Sequence, residues 1–309
     1  MTALSLPSAA DRARWTPFVP YLALFVAMIS LAFGTSFAKQ LFPLVGAQGT
    51  AALRVGLAAI LLAAIFRPWR VRLSKADVGR LLVFGLAMGL LNLTFYMSLR
   101  TIPLGLALAI EFTGPLVLAL VHARRPVHFA CIGLAAAGLL MLLPLRQGAG
   151  SLDPVGVGFA LIAAVCWASY IIFGKRLGGV PAGPSVAIGM AVAALLILPF
   201  GVAEAGIGLL APGVLATALL VAVASSAVPD SLDMVAMRGM PKRTFGVLLS
   251  AEPAIGAVAG VLFLHELLTV QQWAAIAAIM AASAGAILTT RQETARTTSA
   301  PDTVDQLPA

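Results

Sequence analysis

Residues 80–122 read RLLVFGLAMGLLNLTFYMSLRTIPLGLALAIEFTGPLVLALVH, two apolar runs separated by a short break before Pro103. A hydrocarbon core of roughly 30 Å needs about 20 apolar residues in a helix. The runs 80–98 and 103–122 each meet that length. The second carries Glu111 near its middle and Pro115 one turn later. An ionisable group at that depth costs about 3 kcal/mol or more, so it requires a reason to be there.

Extending outward from this stretch, the same test gives ten approximate spans: 18–38, 47–66, 80–98, 103–122, 127–145, 154–174, 184–203, 211–236, 244–264 and 271–290. Composition agrees. Of the 309 residues, 61% are hydrophobic and 10% charged, and the mean hydropathy is +1.01. A soluble chain carries about 25% charged residues, so this one has too few polar side chains to coat itself against water. Lipid is the solvent. The net charge of +8 does not indicate nucleic acid, because basic residues also collect on the cytoplasmic side of membrane proteins. With an uncleaved first helix and the N-terminus inside, the inner loops hold 16 of the 20 lysines and arginines. Both termini are then cytoplasmic. Cys131 and Cys166 match no metal or redox spacing, and no cofactor or metal is expected.

The halves repeat. Phe37, Lys39 and Leu41 match Phe173, Lys175 and Leu177; Leu82, Val83, Arg100, Pro103 and Pro115 match Leu220, Val221, Arg238, Pro241 and Pro253. Five spans per copy is an odd number, so the second copy enters the membrane inverted. Inverted repeats place a transporter's substrate site near the midplane at the repeat interface. The expected fold is therefore all-α and integral to the membrane: ten transmembrane helices forming two inverted five-helix repeats around a central cavity. Its parts are a cytoplasmic N-terminal segment (1–17), the repeats (18–145 and 154–290) and a disordered cytoplasmic tail (291–309).

Polar residues inside the spans are the candidate translocation site. Glu111 and Glu252 lie at similar depths in the fourth and ninth spans. Either could line the pathway, bind an ammonium or carry a proton, or else accept bonds that fix helix packing. Arg54 is the basic residue within a span, suited to neutralising a glutamate or gripping a substrate carboxylate, or to snorkelling outward. Asn92 and Tyr96 are four apart and share a helix face. Asp230 aligns with Asn92, follows Pro229 and shares a face with Asp233. Trp167 and Tyr170 share a face of the sixth span, where packing or an interfacial belt competes with substrate contact. Pro115, Pro253 and Pro229 are helix breaks, tolerated where they line a cavity or are covered by protein. Lys39 reads as an interfacial anchor at the outer boundary.

Enzyme chemistry finds no support. His265-Glu266 is followed by Leu267, Leu268 and Thr269, which lacks the second histidine of a zinc-protease helix. Gly34-Thr35-Ser36-Phe37-Ala38 departs from a serine elbow at its last position, and Asp230 and Asp233 sit on one helix rather than facing each other from two. A channel is the other rival, opposed by the inverted repeat.

Several stretches resemble the drug/metabolite transporter superfamily with two EamA-type repeats, nearest to its bacterial inner-membrane threonine/homoserine exporter family. They are AKQLFPLVGA at 38–47, EFTGPL at 111–116, RRPV at 124–127, RTFG at 243–246 and AEPA at 251–254. The resemblance covers about residues 20–292. Where wider EamA repeats carry a glutamate near the end of the fourth helix, the second repeat has Glu266 and the first has Arg124-Arg125, as the exporter family does. The resemblance implies ten helices around a central cavity and export of small neutral amino acids, with proton antiport or downhill flux as the driving force. Another small metabolite or a drug is the alternative cargo. The expected partners are that solute, the lipid bilayer and protons, and no nucleic acid.

Overall fold

The computed structural model describes residues 18–120, 126–142, 152–177, 180–229, 232, 233, 236, 240 and 242–298, and every regular element among them is helical. The helices are α1 (Val19–Gln40), α2 (Phe42–Phe66), α3 (Lys75–Ser98), α4 (Leu104–Glu111), α5 (Thr113–Leu120), α6 (Pro126–Leu142), α7 (Pro154–Lys175), α8 (Ala182–Ala205), α9 (Pro212–Ala222), α10 (Lys242–Leu249), α11 (Glu252–Leu264) and α12 (Val270–Thr298). A π turn, Val223–Ala227, extends α9. Six described stretches are long and apolar enough to cross a membrane, from Val19–Gln40 to Val247–Leu264, and three shorter ones are equally apolar. Large aliphatic side chains face outward: Leu195 and Leu220 are each 72% exposed. That surface suits lipid tails, and the chain is a multi-pass membrane protein.

Local chemistry sets the helix ends. Ser74 and Asp77 form a reciprocal capping box that starts α3, earlier than the apolar run alone indicates. Asp153 accepts from Val155 N–H and Gly156 N–H at the start of α7. Inside α2, Gly46 breaks the ladder at φ +69°, a conformation that glycine adopts at little cost. The helix restarts beyond it with Gln48 N–H and Gly49 N–H donating to Glu204 Oε2 at 2.7 and 3.2 Å.

The fourth and ninth spans are interrupted near Pro115 and Pro253, where helix breaks were expected: α4 meets α5 at Phe112, and Ser250 and Ala251 separate α10 from α11. One expectation changes. The last helix continues to Thr298, through residues 291–298 that were expected to be disordered. Polar side chains end a membrane span without ending a helix, and no glycine or proline occurs between Gly285 and Pro301 to stop it.

Helix packing crosses between the halves. α2 lies on α8, α3 on both α7 and α8, α4 on α11 and α6 on α12, while α9 touches α1 and α2, and α1 touches α11. Small residues allow the approach, as lipid-embedded bundles require. A Cβ on Gly105 would overlap Ala257, one on Gly114 would overlap the Ala164 carbonyl, and one on Gly34 would lie 2.7 Å from Ser225 N.

Candidate functional site: a polar cavity among broken helices

Three helix breaks build the site, each with a proline nearby. Proline has no N–H, so the carbonyl four residues earlier loses its helical donor. Pro229 leaves Ser225 O free in this way, and the π turn sits at that place. The freed carbonyl accepts from Arg54 Nη2 at 2.7 Å. Arg54 Nε donates to Ser225 Oγ, also at 2.7 Å, and that hydroxyl in turn donates to Val221 O. Arg54 Nη1 donates to Asn92 Oδ1 at 2.5 Å, and Asn92 is steadied by donating to Met88 O at 2.8 Å. A guanidinium that is 9% exposed is thus held in place by neutral groups. Among the described residues it has no carboxylate partner within salt-bridge distance.

The other two breaks carry the glutamates. α4 ends on Glu111, and Thr113 Oγ1 donates back to Ile110 O at 2.6 Å. α11 begins on Glu252, and Ser250 Oγ donates back to Val247 O at 2.6 Å. Both breaks therefore use a hydroxyl to occupy a backbone carbonyl. Glu111 and Glu252 are 7% and 6% exposed. Among the described residues no hydrogen bond reaches either carboxyl. Glu111 lies within electrostatic reach of both Glu252 and Arg54.

Arg54, Asn92, Glu111, Glu252, Asp233 and Pro229 line one cavity of about 200 Å³, with Thr35, Trp167, Tyr170, Ser225 and Ser226 also in its wall. Trp167 meets Phe112 edge-on at 5.1 Å, and Tyr170 stacks on Phe84 at 4.8 Å. At one end of the bundle Lys39 Nζ pairs with Glu266 Oε1 at 2.6 Å, while Glu266 Oε2 accepts from Leu104 N–H at 2.9 Å. Three helix ends, of α1, α4 and α11, are joined there.

The EamA-like transporter family matches residues 154–288. Two curated relatives, the threonine/homoserine exporters RhtA of Escherichia coli (strain K12) and Salmonella typhimurium (strain LT2), are each 48% identical over 276 residues. Each alignment covers 89% of this chain and 94% of the relative. The chain belongs to the RhtA family of EamA-like transporters. A solved crystal structure that is 20% identical covers 91% of this chain and 99% of its own, with a TM-score of 0.54, a likeness of fold alone.

An EamA-like transporter is not an enzyme, and its polar interior is read accordingly. The structure brings Arg54, Asn92, Glu111, Glu252, Trp167, Tyr170 and Pro229 to one cavity. Arg54 does not snorkel; its donors turn inward. Tyr96, expected in the wall beside Asn92, is instead fully buried beneath the Arg54 guanidinium, 5.5 Å from ring centroid to Cζ. One helical turn beyond Asn92, its ring packs against Phe42 and Phe95. Lys39 is an ion-pair partner, not a lone interfacial anchor. Asp233 also lines the cavity. Pro115 is outside the cavity wall and Pro253 lies beside Glu252, both acting through the backbone. Asp230 lies outside the described residues. Sequence reasoning passed over Ser225, Ser226 and Glu204. The position four before Pro229 identifies Ser225 by rule; Glu204 carries no such signal.

Proposed function

We propose that this EamA-like transporter exports threonine- and homoserine-like amino acids by alternating access. The reading rests on one observation above the rest: a guanidinium without a carboxylate partner and two carboxyls without a hydrogen bond, among the described residues, line the same small cavity. A zwitterion supplies both complements. Its carboxylate fits the two N–H groups of Arg54 that Ser225 and Asn92 leave unused, and its ammonium fits Glu111 or Glu252. The cavity, about 200 Å³, falls below the roughly 300–1,000 Å³ of sites for drug-sized ligands, which favours a small metabolite over a drug. The names of the RhtA relatives point to the same cargo.

The transporter is ten helices in two inverted repeats, 18–145 and 154–290, in the bacterial inner membrane with both termini cytoplasmic. Helix contacts support that arrangement. Exchanging the halves carries the α3–α7 contact onto α9–α1, α3–α8 onto α9–α2 and α5–α7 onto α11–α1. In the orientation given by the basic loops, the Lys39–Glu266–Leu104 junction is on the outer side. It seals that end while the cavity loads from the cytoplasm. Glu111, Glu252 and Asp233 outnumber Arg54, leaving a carboxyl free to take up a proton when the solute leaves, and proton antiport is the proposed coupling.

Efflux of radiolabelled threonine and homoserine from preloaded cells, with and without the chain, is the test. Faster efflux that an uncoupler abolishes is expected. Protein-dependent efflux that survives the uncoupler replaces antiport with downhill flux. Unchanged efflux with verified membrane expression rejects the amino-acid cargo.

A further inference from the structure

Hydroxyls inside apolar helices ordinarily donate to a carbonyl three or four residues back. Ser36, Thr94, Ser98 and Ser225 each have such a bond, between 2.7 and 2.8 Å. Ser226 does not. It is 1% exposed, it lines the cavity, and its Oγ has no partner among the described residues. Ser226 lies inside the π turn, where Val228 N–H reaches back to Val223 O. A buried hydroxyl left unpaired costs free energy, and π turns of this kind recur at functional sites.

We infer that the Ser226 hydroxyl recognises the side-chain hydroxyl of the exported amino acid, making it a specificity-determining residue. The inference rests on the amino-acid reading above and adds to it a reason for selectivity. Ser226 directly follows Ser225, the residue that anchors Arg54. Arg54 and Ser226 line the same cavity of about 200 Å³, small enough that a four-carbon amino acid whose carboxylate meets Arg54 presents its β- or γ-substituent to the wall that holds Ser226. Threonine and homoserine both present a hydroxyl in that range. Removing the hydroxyl from either gives the same compound, 2-aminobutyrate, which leaves Ser226 unpaired. A site built to bond a substrate hydroxyl rejects the analogue without it more strongly than an apolar pocket rejects a missing methylene.

The experiment uses vesicles reconstituted with the full-length chain and loaded with equal amounts of labelled threonine and 2-aminobutyrate, so that each preparation reports a ratio. One neutral hydrogen bond is worth about 3- to 10-fold in that ratio. The wild type is expected to favour threonine by this factor. Ser226→Ala is expected to bring the ratio to near one by losing threonine flux. Ser226→Cys, close in size and a poor hydrogen-bond partner, is expected to behave like the alanine variant. Without ligand, Ser226→Ala is expected to melt no lower than wild type, since the hydroxyl it removes is unpaired; a structural serine would lower the melting temperature. A wild-type ratio retained by both variants overturns the inference, as does a wild type that does not discriminate. Wild-type vesicles that move neither solute overturn the amino-acid reading and this inference with it.

Discussion

Lys39 and Glu266 are 227 residues apart in sequence and 2.6 Å apart in space. The same carboxylate holds the first N–H of α4, so it is both ion-pair partner and helix cap. Side-chain exposures of 22% and 10% place the pair between a surface bridge and a buried one. Lys39→Met is expected to cost about 1–2 kcal/mol of stability. Glu266→Ala is expected to cost about 1 kcal/mol more, because the cap is lost as well. A double-mutant cycle by thermal unfolding in detergent reads the coupling directly. Equal losses for the two single variants would show that the Leu104 bond contributes nothing.

Gly46 and Glu204 make a second cross-half joint. A Cβ at Gly46 would overlap the Glu204 carboxylate, and the φ of +69° is strained for any side chain. Gly46→Ala is expected to lower stability by about 1–3 kcal/mol. Glu204→Gln keeps an acceptor for Gln48 N–H and is expected to cost less than Glu204→Ala. Melting temperatures of the three variants check the order.

Glu111→Gln and Glu252→Gln are expected to fold, since each replaces an unbonded carboxyl with a neutral group of the same shape, yet to reduce threonine export by at least roughly tenfold, the equivalent of ~1.4 kcal/mol. Arg54→Lys is expected to be no better. A lysine amine has no planar fork to meet Ser225 Oγ and Ser225 O together. Initial efflux rates at matched expression decide it. Full export by both glutamine variants would remove the glutamates from the pathway.

Asp153, ahead of the α7 span, is held below the usual carboxylate range by the Thr101 hydroxyl and by the Gly156 and Val155 N–H groups. A lowered folded-state pKa stabilises the fold above the unfolded value, and that contribution disappears as pH falls through the folded value. Asp153→Ala is therefore expected to melt below wild type at neutral pH and to converge with it in strong acid. Parallel melting curves across that range would reject the role.

Much of the helical architecture is visible in the residues themselves, because the length of each apolar run follows from the solvent alone. The breaks at Glu111 and Glu252 are also legible, since a carboxyl beside a proline in lipid demands both a cavity and a backbone remedy. What escapes is whatever depends on a distant partner. Lys39 looks like an anchor until Glu266 arrives from the other half. Tyr96 shares a face with Asn92, but a shared face does not tell which of two side chains the Arg54 guanidinium will cover. Ser226 is an ordinary serine in an apolar run until the fold sets it in the cavity wall with its hydroxyl unpartnered among the described residues.

The π turn also makes chain length, as distinct from residue identity, a variable that selection can act on. Each residue of an α-helix advances the next by about 100°, so deleting Ala224 would re-aim Ser225 away from Arg54 with no change in any remaining side chain. Single-codon gains and losses in this segment are therefore expected to separate exporters of different cargo whose substitutions elsewhere look conservative.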